Sequence, residues 1–131
     1  MIFVDTNVFM YAVGREHPLR SRAHAFFQQA VRPNAPRLCT SAEVVQELLH
    51  VYLPAQRLAT FDDALRLLQG TVAEIWSIEP DDVEYARSLA DTHPERSARD
   101  LLHVACCLRR NVARVKTFDR ELGRAFDQRK P

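Results

Sequence analysis

The sequence is short of glycine and has no long apolar run. Its 131 residues include three glycines, too few for the glycine-rich loops that cradle phosphates in P-loop and dinucleotide-binding proteins. The G-x-S-x-G elbow of serine hydrolases is also absent. No apolar run approaches the ~18 residues that cross a bilayer, and the N-terminus lacks the basic region of a signal peptide. We therefore expect a cytoplasmic protein with no membrane segment.

Cysteine is also scarce, and its spacing argues against disulfides. The three cysteines are an odd number, two of them adjacent, and all stand among apolar residues, as buried reduced thiols do. His103, Cys106 and Cys107 would share one helical face and could bind zinc. We treat this as a minor alternative, because no second ligand pair with zinc-finger spacing exists.

The composition is that of one globular domain over residues 1–131. Hydrophobic residues make up 47% and charged residues 27%, with a formal net charge of +1. Residues 109–131 hold 8 basic and 3 acidic side chains, whereas residues 1–108 hold 10 basic and 14 acidic ones. The basic C-terminal end could attract a polyanion, but on charge alone a solvated surface is the simpler interpretation.

Short apolar runs alternate with helical periodicity along the chain. Residues 1–4, 37–40, 73–78 and 114–117 are predicted strands. Helices are predicted over about 18–31, from Ser41 to about 53, from a capping box at 60–63, over about 80–91, after Ser97 and after Asp119. The order predicts an α/β fold with a parallel sheet and helices on both faces. Four strands are predicted, and a fifth is left open.

Four acids are expected at the carboxyl edge of this sheet, where ligands bind in such folds. Asp5 ends the first strand, Asp119 follows the fourth, Asp100 opens an apolar helix, and Glu47 lies in the helix after the second strand. Each has a structural explanation by itself, as a helix cap or as a solvated side chain. Together they would repel one another unless cations neutralised them. Mg²⁺ and Mn²⁺ take such oxygen ligands and promote phosphate ester hydrolysis.

Four segments resemble the motifs of the PIN-domain family, in the family's order. They are VDTNV at 4–8, TSAEVVQELL at 40–49, ARDLLHVA at 98–105 and KTFDREL at 116–122. The likeness spans nearly the whole chain and is strongest to VapC toxins. It implies a three-layer α/β/α sandwich and a Mg²⁺- or Mn²⁺-dependent endoribonuclease that cuts transfer or ribosomal RNA. It also implies a VapB-like antitoxin as partner, and a homodimer is expected from the apolar surface described below.

The resemblance assigns roles to particular residues. Asp5, Glu47, Asp100 and Asp119 would bind the metal, with Asp5 and Asp100 the most secure, and Thr6, Asn7 and Thr117 would support them. Candidates for RNA backbone contacts are the basic residues Arg109, Arg110, Arg114, Lys116, Arg120 and Arg124.

Two other functions stay open. One is a catalytically silent PIN-like domain that binds RNA or protein. The other is a small-molecule phosphohydrolase, although Asn7 stands where phosphohydrolases of the haloacid dehalogenase type carry a second Asp. An interface with another copy or an antitoxin helix is expected at the apolar residues Phe26, Phe27, Phe61, Leu65 and Leu68.

Overall fold

The computed structural model describes residues 1–128 of the chain. In order, its elements are β1 (Ile2–Val4), α1 (Thr6–Val13), α2 (Pro18–Ala30), β2 (Leu38–Ser41), α3 (Ala42–Tyr52), α4 (Leu58–Thr71), β3 (Glu74–Trp76), α5 (Pro80–Ala90), α6 (Ala98–Arg109), β4 (Arg114–Lys116) and α7 (Arg120–Gln128). Within residues 1–128, none of the helices has the length and apolar character needed to cross a bilayer.

The four strands form one parallel sheet, which confirms the predicted fold class. Their order is β3-β2-β1-β4, with Ile2 opposite both Leu38 and Arg114. Helices α1 to α4 pack against one another, and α5 to α7 form a second group. The chain therefore runs outward from β1 to β3 and then crosses to the other side of β1. Strand order reverses between β1 and β4, and this switch point is where open α/β sheets bind ligands.

The core lies on both sides of β1. Phe3 in this strand is fully buried, and its ring stacks with those of Trp76 and Phe126. Phe9 and Leu48 are also fully buried, which fixes α1 and α3 on one face of the sheet. A strand that is buried on both faces is apolar throughout. This explains why residues 2–4, which form β1, are all apolar.

Several predicted boundaries were wrong. No helix was predicted over residues 6–13, where α1 begins directly after Asp5. Helix α4 begins at Leu58, so Thr60 lies inside it and does not open a capping box. Ser41 precedes α3 as predicted, but its hydroxyl makes no capping hydrogen bond. Helix α7 occupies 120–128, where a fifth strand was left open, and residues 129–131 lie outside the described part.

Four of the five apolar residues expected at an interface contribute to the interior, and the fifth, Leu65, is half-buried outside the core cluster. Phe27 and Leu68 are buried, and Phe26 and Phe61 pack against the core. The large hydrophobic side chains that remain exposed are elsewhere, and they include Leu49, Val51, Leu53 and Leu58 around the α3–α4 connection.

Candidate metal centre

Asp5 and Thr117 meet at the switch point between β1 and β4. The Asp5 carboxylate caps α1 by accepting a hydrogen bond from the Thr6 amide at 2.8 Å. Its other oxygen accepts one from the Thr117 hydroxyl, also at 2.8 Å. The same hydroxyl accepts hydrogen bonds from the Asp119 amide and, at 3.4 Å, from the Asn7 side chain. The ends of the two strands are thus tied around Asp5.

Glu47 points into the protein. Only 8% of its surface is exposed, and it accepts hydrogen bonds from the Thr6 hydroxyl at 2.6 Å and from His103 Nε2 at 3.0 Å. Its position off the apolar stripe of α3 fitted a solvated side chain equally well. Thr6 on α1 and His103 on α6 both bind the Glu47 carboxylate, so this side chain belongs to the site and is not solvated.

His103 belongs to this cluster, and sequence reasoning missed it. The side chain is 2% exposed, and Nε2 lies 3.8 Å from Asp5 Oδ1 in addition to its contact with Glu47. The available signal was its spacing: His103 follows Asp100 by three residues, which puts both on one face of α6. The sequence analysis considered it only as a zinc ligand.

The proposed zinc ligands do not come together. Cys106 and Cys107 are buried in the core, and among the described residues the group that could hold a metal is Asp5, Glu47 and His103. Burial raises the pKa of Cys106 to about 11, so its thiol is protonated in the metal-free protein.

All four predicted acids line one pocket of about 240 Å³. Asp100 lies in the first turn of α6, where Ser97 caps the helix by accepting from the Asp100 amide. Asp119 is exposed and accepts from the Glu121 amide, which starts α7. Thr6 and Asn7 line the same pocket. The site therefore collects carboxylates from β1, α3, α6 and the β4–α7 connection.

The protonation equilibria of these acids are linked. Burial raises the pKa of Asp5 and Asp100, and the charge of Asp119 adds to the rise at Asp100. Burial also acts to raise the pKa of Glu47, but the hydrogen bond and charge of His103 outweigh it and lower that pKa. Burial alone would lower the pKa of His103, whereas Glu47, Asp5 and Asp100 together raise it. In both raised cases the main cause is the removal of water from around the charged carboxylate.

The donor set fits a hard divalent cation. Ligand atoms of Asp5, Glu47 and His103 lie within 4.8 Å of one another, and the carboxylates of Asp100 and Asp119 face the same pocket. Oxygen-rich sets of this kind suit Mg²⁺ and Mn²⁺ better than softer metals. Burial is the main reason that the pKa of Asp5 and Asp100 is raised, and a cation would stabilise both charged carboxylates.

The six basic residues expected to contact RNA separate into different environments. Arg109 and Arg110 both bind Asp82, at 2.6 and 2.8 Å, and Arg110 also lies over the Trp76 ring. They end α6, about 14 Å along the helix axis from Asp100. Because their charges are satisfied there, we do not retain them as RNA contacts. Arg114 and Arg120 are exposed, Arg124 pairs with Glu121, and Lys116 packs on aromatic rings.

Known proteins are similar to this chain in sequence and in fold. The family model of the PIN domain matches residues 2–126. Ribonuclease VapC23 of Mycobacterium tuberculosis is 56% identical over 126 residues, covering 96% of this chain and 98% of that protein. Ribonuclease VapC13 of the same species is 38% identical over 120 residues, covering 92% and 91%. The solved structure of VapC20 from that species, a Sarcin-Ricin loop cleaving toxin, has a TM-score of 0.78 at 22% identity over 95% of each chain, which shows a common fold.

Proposed function

Since the chain belongs to the PIN-domain family, we propose that it is a metal-dependent endoribonuclease and the toxin of a VapBC-like toxin–antitoxin pair. The observation that carries this proposal is the convergence of four carboxylates from separate elements on one pocket at the switch point. The near full-length likeness to proteins named ribonucleases supplies the substrate class.

In this proposal Asp5, Glu47, Asp100 and Asp119 hold Mg²⁺ or Mn²⁺. The cation would supply a Lewis acid that polarises a phosphodiester and makes water a stronger nucleophile. The chain itself keeps the ligands in place. Thr117 holds one oxygen of Asp5, and Thr6 and His103 hold the two oxygens of Glu47. The carboxylates then meet the metal without a loss of side-chain freedom.

The partners follow from the same family. We propose transfer or ribosomal RNA as substrate, met in the cytoplasm, and a VapB-like antitoxin that restrains the enzyme. Residues 1–131 would act as one domain within a homodimer. The exposed apolar side chains of Leu49, Val51, Leu53 and Leu58 support contact with a second chain. Sedimentation as a monomer at all protein concentrations would contradict the homodimer.

The activity is tested by incubating the purified protein with total bacterial RNA in Mg²⁺, in Mn²⁺ and in EDTA. We expect discrete RNA fragments with either metal and none in EDTA. Asp100→Asn should abolish cleavage while the protein still unfolds cooperatively. Asp62→Asn is the matched control, because Asp62 is exposed on α4 and the change removes the same charge.

Three results would contradict the proposal. If Asp100→Asn cut RNA as fast as the parent protein, the acids would not form the site. If RNA were bound with Mg²⁺ but never cut, a catalytically silent domain would be indicated. If the protein left RNA intact and hydrolysed p-nitrophenyl phosphate, it would be a small-molecule phosphohydrolase.

A further inference from the structure

Two cations are held against one aromatic ring beside the acidic pocket. The Arg22 guanidinium carbon lies 5.7 Å from the centroid of the Phe118 ring. Lys116 Nζ lies 5.1 Å from the same centroid and 5.5 Å from that of Phe26. Arg22 comes from α2 and Lys116 from β4, so only the tertiary fold brings them together. We call Arg22, Lys116 and Phe118 the Phe118 patch.

The charges of this patch lack an acidic partner in the described part of the chain. No carboxylate in residues 1–128 forms an ion pair with Arg22 or Lys116, although most other ion pairs of the chain join an arginine to a nearby acid. Burial lowers the pKa of Lys116, and the charge of Arg22 lowers it further. Two like charges at one ring favour an anion between or beside them.

The positive surface continues from the patch along the edge strand. A groove of about 510 Å³ runs beside β4, with Lys116, Arg114 and Arg32 in its wall. As far as the described chain shows, no acidic side chain lines it. Arg114 and Lys116 are two residues apart in a strand, so they lie on one face about 7 Å apart. That spacing suits neighbouring phosphates of an extended strand.

The patch also adjoins the acids. The Phe118 amide donates to Asn7 Oδ1 at 3.2 Å, and the preceding residue, Thr117, holds Asp5. On its other side the Phe118 ring meets the edge of Tyr11, with centroids 5.7 Å apart. A strand lying on the patch would therefore reach the pocket directly.

We propose that the Phe118 patch and the groove beside β4 bind the backbone of the RNA strand that enters the acidic pocket. This rests on the function proposed above. Arg22 and Lys116 contact successive phosphates, and Phe118 holds both cations ready for that contact. Single-stranded nucleic acid fits better than an acidic peptide, because the patch borders the acids that are proposed to hydrolyse a phosphodiester.

The test measures binding of a fluorescein-labelled oligouridylate by anisotropy, over a range of salt concentrations, with Ca²⁺ in place of Mg²⁺. Arg22→Gln and Lys116→Gln should each weaken binding about threefold to tenfold and flatten the slope of log K against log salt by about 0.7. Phe118→Leu should weaken it about threefold, because the ring that positions both cations is lost, and Phe118→Tyr should restore it. Arg66→Gln on α4 removes the same charge from an exposed position and should bind as the parent does.

Cleavage of total RNA with Mg²⁺ separates the two proposals. If the parent protein cuts RNA while the patch variants bind and cut as it does, the patch proposal is wrong and the nuclease proposal stands. If the parent protein neither binds nor cuts RNA, both fail. If polyglutamate competes as well as the oligouridylate and the patch variants cut RNA as the parent protein does, the patch serves an acidic protein segment and the RNA proposal is wrong. Thermal unfolding of each variant confirms that the protein is folded.

Discussion

Asp82→Asn is the substitution that most directly tests whether Arg109 and Arg110 stabilise the fold or contact RNA. Asp82 is 0% exposed and sits in the first turn of α5. It accepts hydrogen bonds from Arg109, from two nitrogens of Arg110 and from the Glu79 amide. Asparagine keeps the shape of the side chain but removes the charge that both guanidinium groups face.

The expected cost follows from this geometry. Removing one partner of a buried ion pair destabilises a protein by about 3–5 kcal/mol, and Asp82 is the fully buried partner that both guanidinium groups share. The entropy of unfolding of a chain of this length is roughly 0.28 kcal/mol per kelvin, from about 2.1 cal/mol/K per residue. The melting temperature should therefore fall by about 10–18 °C. Helix α6, which carries Asp100 and His103, would lose its ionic link to α5 and keep the apolar one through Ala86 and Leu101.

The effect should depend on pH in a definite direction. Burial alone would raise the pKa of Asp82, but the bonds from Arg110, Glu79 and Arg109 hold it well below its usual range. An acid with a lowered pKa stabilises the fold above its unfolded-state pKa near 4, and this contribution is lost as the pH falls below that value. The difference in stability between the parent and Asp82→Asn should thus be largest at neutral pH and shrink in acid.

Thermal unfolding followed by circular dichroism between pH 7 and pH 3 measures this difference. Asp81→Asn is the matched control: the neighbouring side chain is 71% exposed and lies 3.6 Å from Arg109, so its loss should cost under about 1 kcal/mol. If both variants melted within a few degrees of each other, or if the difference did not change with pH, the reasoning would be refuted. A lower salt slope for RNA binding by Arg110→Gln would also contradict it.

Three further outcomes are expected. Glu47→Gln should reduce RNA cleavage more at low than at saturating Mg²⁺, because one ligand charge is lost while its shape stays; an equal loss at every concentration would argue against a ligand role. Asp100→Asn in EDTA should melt a few degrees higher than the parent at pH 7, because the raised pKa marks an unfavourable charge, and this gain should shrink as acid protonates the parent; a lower melting point would refute it. Burial raises the pKa of Cys39 to about 12 and of Cys106 to about 11, so Ellman's reagent should label them only after unfolding, and fast native labelling would show that they are accessible.

Much of the fold and part of the site could be read from the sequence. The run at residues 2–4 is apolar because β1 is buried on both faces, and this predicts a central strand of a parallel sheet. Asp5 directly follows β1 and Asp119 lies three residues beyond the end of β4, and the carboxyl ends of parallel strands meet at one edge. Asp100 stands in the first turn of an apolar helix that had to pack on the same sheet. The order of strands and helices along the chain was therefore enough to predict where these three acids lie.

The tertiary structure decided three features of the site. They are the interior position of Glu47, the position of His103 beside it, and the separation of the basic residues. Glu47 bonds to residues 41 and 56 positions away, and the bond between Asp5 and Thr117 spans 112. In the sequence, Arg109 and Arg110 are typical of an exposed helix end. In the fold, α5 places the Asp82 carboxylate within ion-pair distance of both. Arg22 joined Lys116 because α2 lies beside β4. Periodicity predicts which face of an element is buried, but the partner of a charged side chain depends on which other element covers that face.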